Sequence, residues 1–139
     1  MGIIPVVNEN NSVSYTEIES EDRLFEDNDM LSAITAILCK AQKLVIFSDI
    51  DGFYDRDPRV YENAKLITYV DEIDEQIKSC AGAAGSRRGT GGMCTKPQSV
   101  KLAAAQGIDT IITNEKNPGA LFDIINEKSV GTLFKGKNR

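Results

Sequence analysis

Apolar positions along the chain alternate between two spacings, and this alternation predicts an α/β fold. From Asn28 onward apolar residues recur at helical spacing behind an Asn/Asp cluster, and a second helix is predicted from Thr95 to a stop at Gly107. The continuous apolar run within Lys43–Ser48 predicts a strand buried on both faces of a sheet. Shorter strands are predicted at residues 66–70, 108–113 and 131–134, and further helices at residues 71–79 and from residue 117.

The order of these elements indicates how they are arranged. Strands alternate with helices, which predicts a mainly parallel sheet with helices on both faces. Residues 2–8 predict one more strand, residues 9–27 an exposed acidic excursion, and residues 81–94 a glycine-rich stretch without regular structure. Because neither an internal repeat nor a domain boundary is visible, residues 1–139 are expected to form a single domain.

Composition narrows the possible partners. The chain has 16 Lys and Arg against 21 Asp and Glu, and a net charge of -5 argues against nucleic acid or an anionic membrane as the main partner. No apolar run approaches the roughly 18 residues of a membrane span. The odd number of widely spaced cysteines favours reduced thiols, so we expect a soluble cytoplasmic protein. A small anionic ligand is still allowed, because backbone dipoles and lysines act locally.

The chain contains no histidine, which limits the chemistry it can perform. Nucleophilic arrangements that depend on histidine are excluded, and the commonest metal ligand is absent, so we predict no dedicated metal site. Carboxylates, lysines and backbone amides remain. These groups suit phosphoryl transfer, in which positioning and charge neutralisation do most of the work.

The first candidate site is the glycine-rich stretch that leads into the second predicted helix. Glycine backbone amides, a capping hydroxyl group and a lysine at a helix start are the usual components of an anion-binding site. The string is not a Walker A motif, and a flexible surface loop is the alternative. Lys96 favours a function, because a cation at a helix start opposes the helix dipole. The candidate residues are Thr90, Gly91, Gly92, Met93, Cys94, Thr95 and Lys96.

Two further segments are candidates. Asn28 and Asp29 begin the first predicted helix, where they could cap the helix or bind substrate or magnesium. Ser48 and Asp49 end the buried strand, and Asp51 follows them. Ligands of α/β sheets bind at the carboxyl ends of the strands, which favours a binding role for this loop over a plain turn.

Taken together, the motifs resemble the glutamate 5-kinase family of amino acid kinases. The matching strings, in order, are IPVVNEN at residues 4–10, DNDMLSA at 27–33, SDIDGFY at 48–54, DPR at 57–59 and GTGGMCTK at 89–96. The resemblance covers nearly the whole chain. It corresponds to the later half of that family's kinase domain.

The resemblance implies an αβα sandwich that transfers the γ-phosphate of ATP to the side-chain carboxylate of glutamate, the first step of proline synthesis, with magnesium required. Ser48, Asp49 and residues 90–96 would bind the adenine nucleotide. Lys96 would neutralise charge on the transferring phosphoryl group. Asn28 would bind glutamate, and Asp29 would orient catalytic lysines.

The chain departs from the family pattern at several positions. Asn11 replaces an aspartate expected to hold the glutamate amino group, so weaker substrate binding is expected. Glu26 and Glu115 stand where the family prefers glycine, which predicts backbone strain at both positions. The amino-terminal half of the family's fold is missing. The isolated chain is therefore expected to be inactive, and to self-associate or require a chain that supplies that half.

Two alternative functions stay open. The chain could be a non-catalytic nucleotide-binding or regulatory remnant, which Asn11 and Glu26 favour, whereas the intact loop of residues 89–96 favours retained nucleotide binding. It could also belong to another amino acid kinase, such as an aspartate, carbamate or uridylate kinase relative. The GTGGM string and the Asp-Asn-Asp helix start, taken together, favour the glutamate member.

Overall fold

The computed structural model describes residues 28–56, Pro58, 61–73 and 96–137. Within these residues the helices are α1 (Asn28–Leu38), α2 (Lys96–Ala105) and α3 (Ala120–Ile125). The strands are β1 (Lys43–Ser48), β2 (Phe53–Tyr54), β3 (Leu66–Ile67), β4 (Tyr69–Val70), β5 (Asp109–Asn114) and β6 (Thr132–Phe134). No helix in the described part of the chain is long and apolar enough to cross a membrane.

Four of the strands form the main sheet, in the order β1-β5-β6-β4. The pairs β1–β5 and β4–β6 are parallel, whereas β5–β6 is antiparallel. In the long β1–β5 pair, Lys43 lies opposite Asp109 and Ser48 opposite Asn114. The predicted α/β class with a mainly parallel sheet is confirmed, and the antiparallel step was not predicted.

Helices α1 and α2 pack against each other and against one face of this sheet. Small residues, Ala33 and Ala36 from α1 and Ala103 from α2, form their buried contact. Because alanine adds little bulk, the two helix axes can approach closely. A second cluster joins α2 to the strands, and its buried members are Ile46, Phe53, Val70, Val100, Ile112 and Phe134.

The prediction that β1 is buried on both faces is wrong at Phe47, whose side chain is 38% exposed. Leu44 and Ile46 pack into the clusters beneath α1 and α2. Successive side chains of a strand point to opposite faces, so Phe47 lies on the face away from these helices. An apolar run alone could not show which face of β1 the helices cover.

The predicted strand at residues 66–70 is two short strands in different sheets. Leu66–Ile67 pairs antiparallel with β2, and Tyr69–Val70 pairs parallel with β6. Thr68 lies between them, and its carbonyl accepts a hydrogen bond from the amide of Leu133 at 3.0 Å. The predicted helix at residues 71–79 is not formed at residues 71–73, and its remainder lies outside the described residues.

The remaining predicted elements agree with the structure within a few residues. The two helices beginning at Asn28 and in the Thr95 region are confirmed, as are β1, β5, α3 and β6. The predicted strand at residues 2–8, the excursion at 9–27 and the glycine-rich stretch at 81–94 lie outside the described residues.

A buried threonine ties the small β2–β3 sheet to the main sheet. The Thr132 hydroxyl accepts a hydrogen bond from the Phe53 amide at 2.7 Å and donates one to the Ile67 carbonyl at 2.6 Å. Gly52 precedes Phe53 with a φ of +152°, and a Cβ there would lie 2.5 Å from the Thr132 hydroxyl oxygen. Glycine is therefore required where the chain leaves β1 and enters β2.

Candidate functional site

The topology brings four element ends to one edge of the sheet. Because β1 and β5 are parallel, their carboxyl ends lie side by side. Helices α1 and α2 each precede one of these strands through a short connection and therefore run antiparallel to it. An eleven-residue helix is about 16 Å long, and a six-residue strand is about 20 Å. The amino termini of both helices consequently lie near the carboxyl ends of both strands.

This edge gathers most of the described candidate residues. Asn28 and Asp29 begin α1, Lys96 begins α2, and Ser48 and Asp49 end and follow β1. Two helix amino termini that point to one place favour negative charge there, because their free amides and aligned dipoles face it. The fold thus places these segments at the same edge of the sheet, whereas the binding role of each residue stays a prediction.

Ser48 anchors the loop that follows β1, and Asp49 lies exposed on that loop. The buried Ser48 hydroxyl donates a hydrogen bond to Asp49 Oδ1 at 3.0 Å, and the Ser48 carbonyl accepts one from the Glu115 amide at 2.7 Å. Asp49 itself is exposed. Among the described residues its second carboxylate oxygen has no hydrogen-bond partner, so it is available to a ligand.

Asp51, two residues further on, joins three segments of the edge. Its Oδ1 accepts a hydrogen bond from the side-chain amide of Asn114 at 2.8 Å, and its Oδ2 accepts one from the Tyr54 hydroxyl at 3.0 Å. Asn114 Oδ1 accepts a hydrogen bond from the Lys116 amide at 2.9 Å. Partial burial, together with the hydrogen-bonded and negatively charged Asp51, raises the pKa of Tyr54.

The sequence pattern missed Asn114 and Tyr54 as members of this cluster. The available signal was an asparagine at the end of a second strand predicted to run parallel to β1. Such a residue must lie at the same edge as Asp51, although the local sequence does not show that the two touch.

The structure describes the side chains at the start of α1, but only the backbone of Lys96 at the start of α2. Asn28 is exposed and Asp29 is partly buried, and the Asn28 carbonyl accepts a hydrogen bond from the Ser32 hydroxyl at 2.7 Å. The backbone of Lys96 begins α2, which confirms a lysine at a helix start. Residues 90–95 of the loop, Glu26 and Asn11 lie outside the described residues, so their predicted roles are not tested.

The strain predicted at Glu115 is absent. Lys40 and Glu127 are the non-glycine residues with positive φ in the described part of the chain, so Glu115 has a backbone conformation open to any residue. Its amide is engaged by the Ser48 carbonyl. The turn after β5 thus links to β1 without requiring glycine at this position.

The opposite edge of the sheet carries an ion pair. Lys135 Nζ lies 2.9 Å from Asp109 Oδ2, and the Gly136 amide donates a hydrogen bond to Asp109 Oδ1 at 2.8 Å. Partial burial opposes ionisation of Asp109, but these two donors outweigh it and hold its pKa below the usual range. The Asp109 carboxylate in turn raises the pKa of Lys135. The pair links the residues that follow β6 to the start of β5.

The amino acid kinase family matches residues 1–114 of the chain, which therefore belongs to that family. Among its relatives, the glutamate 5-kinase of Clostridium perfringens is 52% identical over 136 residues, which span 98% of this chain and 50% of the relative. The glutamate 5-kinase of Clostridium acetobutylicum is 47% identical over 138 residues, with 99% and 50% covered. The chain spans about half the length of these relatives.

Solved structures agree on the fold. The UMP kinase of Bacillus anthracis superposes with a TM-score of 0.59 at 18% identity, covering 82% of this chain and 42% of that one. The isopentenyl phosphate kinase of T. acidophilum gives a TM-score of 0.55 at 23% identity, covering 77% and 38%. At these identities the likeness shows a shared fold alone. The chain has the architecture of one part of a larger α/β kinase fold.

Proposed function

We propose that the chain is the nucleotide-binding half of an enzyme that transfers the γ-phosphate of ATP to the side-chain carboxylate of glutamate, in proline biosynthesis. The observation that carries this proposal is the 52% identity to a glutamate 5-kinase across almost the whole chain. The geometry of the carboxyl edge supports it, because ligands of α/β sheets bind there.

The nucleotide is proposed to lie across the carboxyl ends of β1 and β5. Ser48 and Asp49 would contact its adenosine part, since Asp49 is exposed and held in place by the buried Ser48 hydroxyl. The phosphates would meet residues 90–96, where backbone amides at the start of α2 offer hydrogen bonds and a favourable dipole.

Lys96 is proposed as the catalytic cation of this half. The transferring phosphoryl group spreads negative charge over its equatorial oxygens, and a positive charge aimed at them stabilises the transition state more than the ground state. A lysine at the first position of α2 lies where the helix amides would hold the same phosphates. Lys96 and the loop would therefore act as one unit.

Magnesium is the cofactor that the proposed reaction implies. Mg²⁺ at such sites is held mainly by the nucleotide phosphates and water, with one or two protein carboxylates. Both oxygens of Asp51 are already engaged, so this carboxylate is not free to bind the ion. When bound, the ion neutralises phosphate charge.

Glutamate is proposed to bind near the start of α1. Asn28 would donate to the substrate, and Asp29 would orient the catalytic lysines from the same helical turn. Asn11 would face the substrate ammonium group as an amide instead of the aspartate of the family pattern. A neutral amide lacks the charge-assisted bond that a carboxylate forms.

The proposed site is incomplete without a second body of protein. Phosphoryl transfer requires charge neutralisation on both sides of the γ-phosphate, and this chain supplies one side. Apolar side chains are also exposed, among them Phe122 at 71% and Ile125 at 67%. We therefore propose that a chain supplying the amino-terminal half, or self-association, completes the enzyme in the cytoplasm.

Titration calorimetry with Mg-ATP tests the nucleotide site. Lys96→Ala is expected to weaken binding by about tenfold or more, because a charge-assisted contact to phosphate is lost. Lys101→Ala, an exposed lysine on the same helix, serves as the matched control and should bind as the unchanged chain does. Equal affinity in the Lys96→Ala variant would remove this lysine from the site.

A turnover assay tests the requirement for an amino-terminal half of the fold. The purified chain alone should release no ADP in a glutamate-dependent manner, and activity should appear when the amino-terminal half of the Clostridium perfringens relative is added. Loss of a single stabilising donor already lowers rates by about 100- to 1000-fold. Turnover of about 1 per second by the chain alone would show that the active site has been misread.

A non-catalytic nucleotide-binding or regulatory role is the second candidate, and Asn11 favours it. The same two assays separate the candidates. Mg-ATP binding without turnover in the reconstituted pair would support the regulatory role, whereas turnover would support the enzyme.

A further inference from the structure

We propose that Asn114 is a positioning residue, which clamps Asp51 and thereby holds the Ser48–Asp49 segment in the geometry that the nucleotide requires. This inference rests on the proposed nucleotide site. The observation that supports it is the hydrogen bond that the Asn114 side-chain amide donates to Asp51, 63 positions earlier in the sequence.

The loop that carries Asp49 is short and is held at both ends. Ser48 is tied to the turn after β5 through the Glu115 amide at 2.7 Å, and the Phe53 amide is tied to Thr132 at 2.7 Å. Between these ends, the side chain of Asp51 accepts a hydrogen bond from Asn114 at the end of β5. The exposed Asp49 therefore sits on a segment anchored before it, after it and at its middle.

Asp51 is held in place by its partners and is not open to a ligand through either oxygen. Asn114 and Tyr54 each donate to a different carboxylate oxygen of Asp51. The orientation of the Asn114 amide is also determined, because the Lys116 amide donates to its oxygen and leaves the NH₂ group facing Asp51. An aspartate at position 114 would place two carboxylates face to face.

The cluster of Asp51, Asn114 and Tyr54 lies at the surface, so its hydrogen bonds can affect the geometry of the loop without much effect on the stability of the fold. Asp51 is exposed and its hydrogen bonds compete with water, so they add little to the stability of the fold. Their larger effect is to restrict the conformations of a loop that would otherwise have to be ordered by the ligand itself, and such preorganisation increases affinity.

The test compares Mg-ATP dissociation constants and thermal midpoints for a reciprocal exchange. Asn114→Asp should weaken binding by about tenfold, because two carboxylates then face each other. Asp51→Asn keeps an acceptor oxygen for the Asn114 amide, so it should bind within about twofold of the unchanged chain. The double variant, with both changes, restores an amide facing a carboxylate, and the Tyr54 and Lys116 donors keep acceptors. It should bind within about twofold of the unchanged chain, and all thermal midpoints should stay close together.

Asn126→Asp is the matched control, because Asn126 donates the same kind of bond, at 2.8 Å to the Phe122 carbonyl, away from the site. Unchanged affinity in Asn114→Asp, or a double variant no better than Asn114→Asp, would overturn the positioning role. If Asn114→Asp fails to fold, Asn114→Ala and the double variant carry the comparison. Absence of Mg-ATP binding by the unchanged chain would instead overturn the proposed nucleotide site and this inference with it.

Discussion

Two fully buried threonines on neighbouring strands should respond in opposite directions to the same substitution. Thr132 and Thr110 are both 0% exposed. The Thr132 hydroxyl bridges the Phe53 amide and the Ile67 carbonyl. The Thr110 hydroxyl is a buried group without a hydrogen-bond partner among the described residues. Valine has nearly the same shape as threonine but neither donates nor accepts a hydrogen bond.

The magnitudes follow from these partners. Thr132→Val leaves a buried amide and a buried carbonyl unpaired, each costing about 1 to 3 kcal/mol, while the new methyl group returns about 1 kcal/mol. We expect a net loss of about 1 to 5 kcal/mol in the free energy of unfolding. Thr110→Val removes an unpaired hydroxyl from the core and should stabilise the protein by about 1 to 2 kcal/mol.

Urea unfolding followed by circular dichroism measures both effects. A loss of about 3 kcal/mol lowers the urea midpoint by about 1 to 3 M, with an unchanged slope if the native and unfolded states keep their compactness. Thr132→Ser keeps the hydroxyl and should lose only about 1 kcal/mol through its missing methyl group. If Thr132→Val proved as stable as Thr110→Val, the bridge between the two sheets would have no energetic role.

Three other predictions concern the backbone, pH and substrate. Gly131→Ala should lower the free energy of unfolding by about 2 to 5 kcal/mol, because φ is +61° and a Cβ would collide with the Ile112 carbonyl oxygen. The control Gly119→Ala, at φ −63°, should change the free energy of unfolding little. Equal effects of the two substitutions would contradict this prediction. The pKa of Asp109 is lowered on folding from 3.8, so its stabilisation is present at neutral pH and is lost as pH falls from about 4 through the lowered pKa. Asp109→Asn should cost about 1 to 2 kcal/mol at pH 7, and this difference should shrink as pH falls below about 4. A pH-independent difference in urea titrations would refute the ion pair's role. Asn11→Asp should lower the glutamate KM of the reconstituted enzyme by an amount equivalent to about 1 to 3 kcal/mol, and an unchanged KM would refute the assignment.

The spacing of apolar residues and the local chemistry of the sequence predicted much of the fold. The helical spacing after Asn28, the apolar run of β1 and the glycine stop at Gly107 were enough to predict α1, β1 and the end of α2 near where the structure has them. The α/β class followed from their alternation, and the class placed Ser48 and Asp49 at a carboxyl edge. These features depend on residues a few positions apart, so the local sequence contains them.

The tertiary structure decided what depends on distant partners. The antiparallel step between β5 and β6 and the split of residues 66–70 between two sheets depend on which strands meet. The exposure of Phe47 depends on which face α1 and α2 cover. The contact of Asn114 with Asp51 crosses 63 positions. A sequence pattern states which residues can be buried or bonded, but the partner is chosen by chain topology, because strand pairing and side-chain packing are set by the whole chain at once.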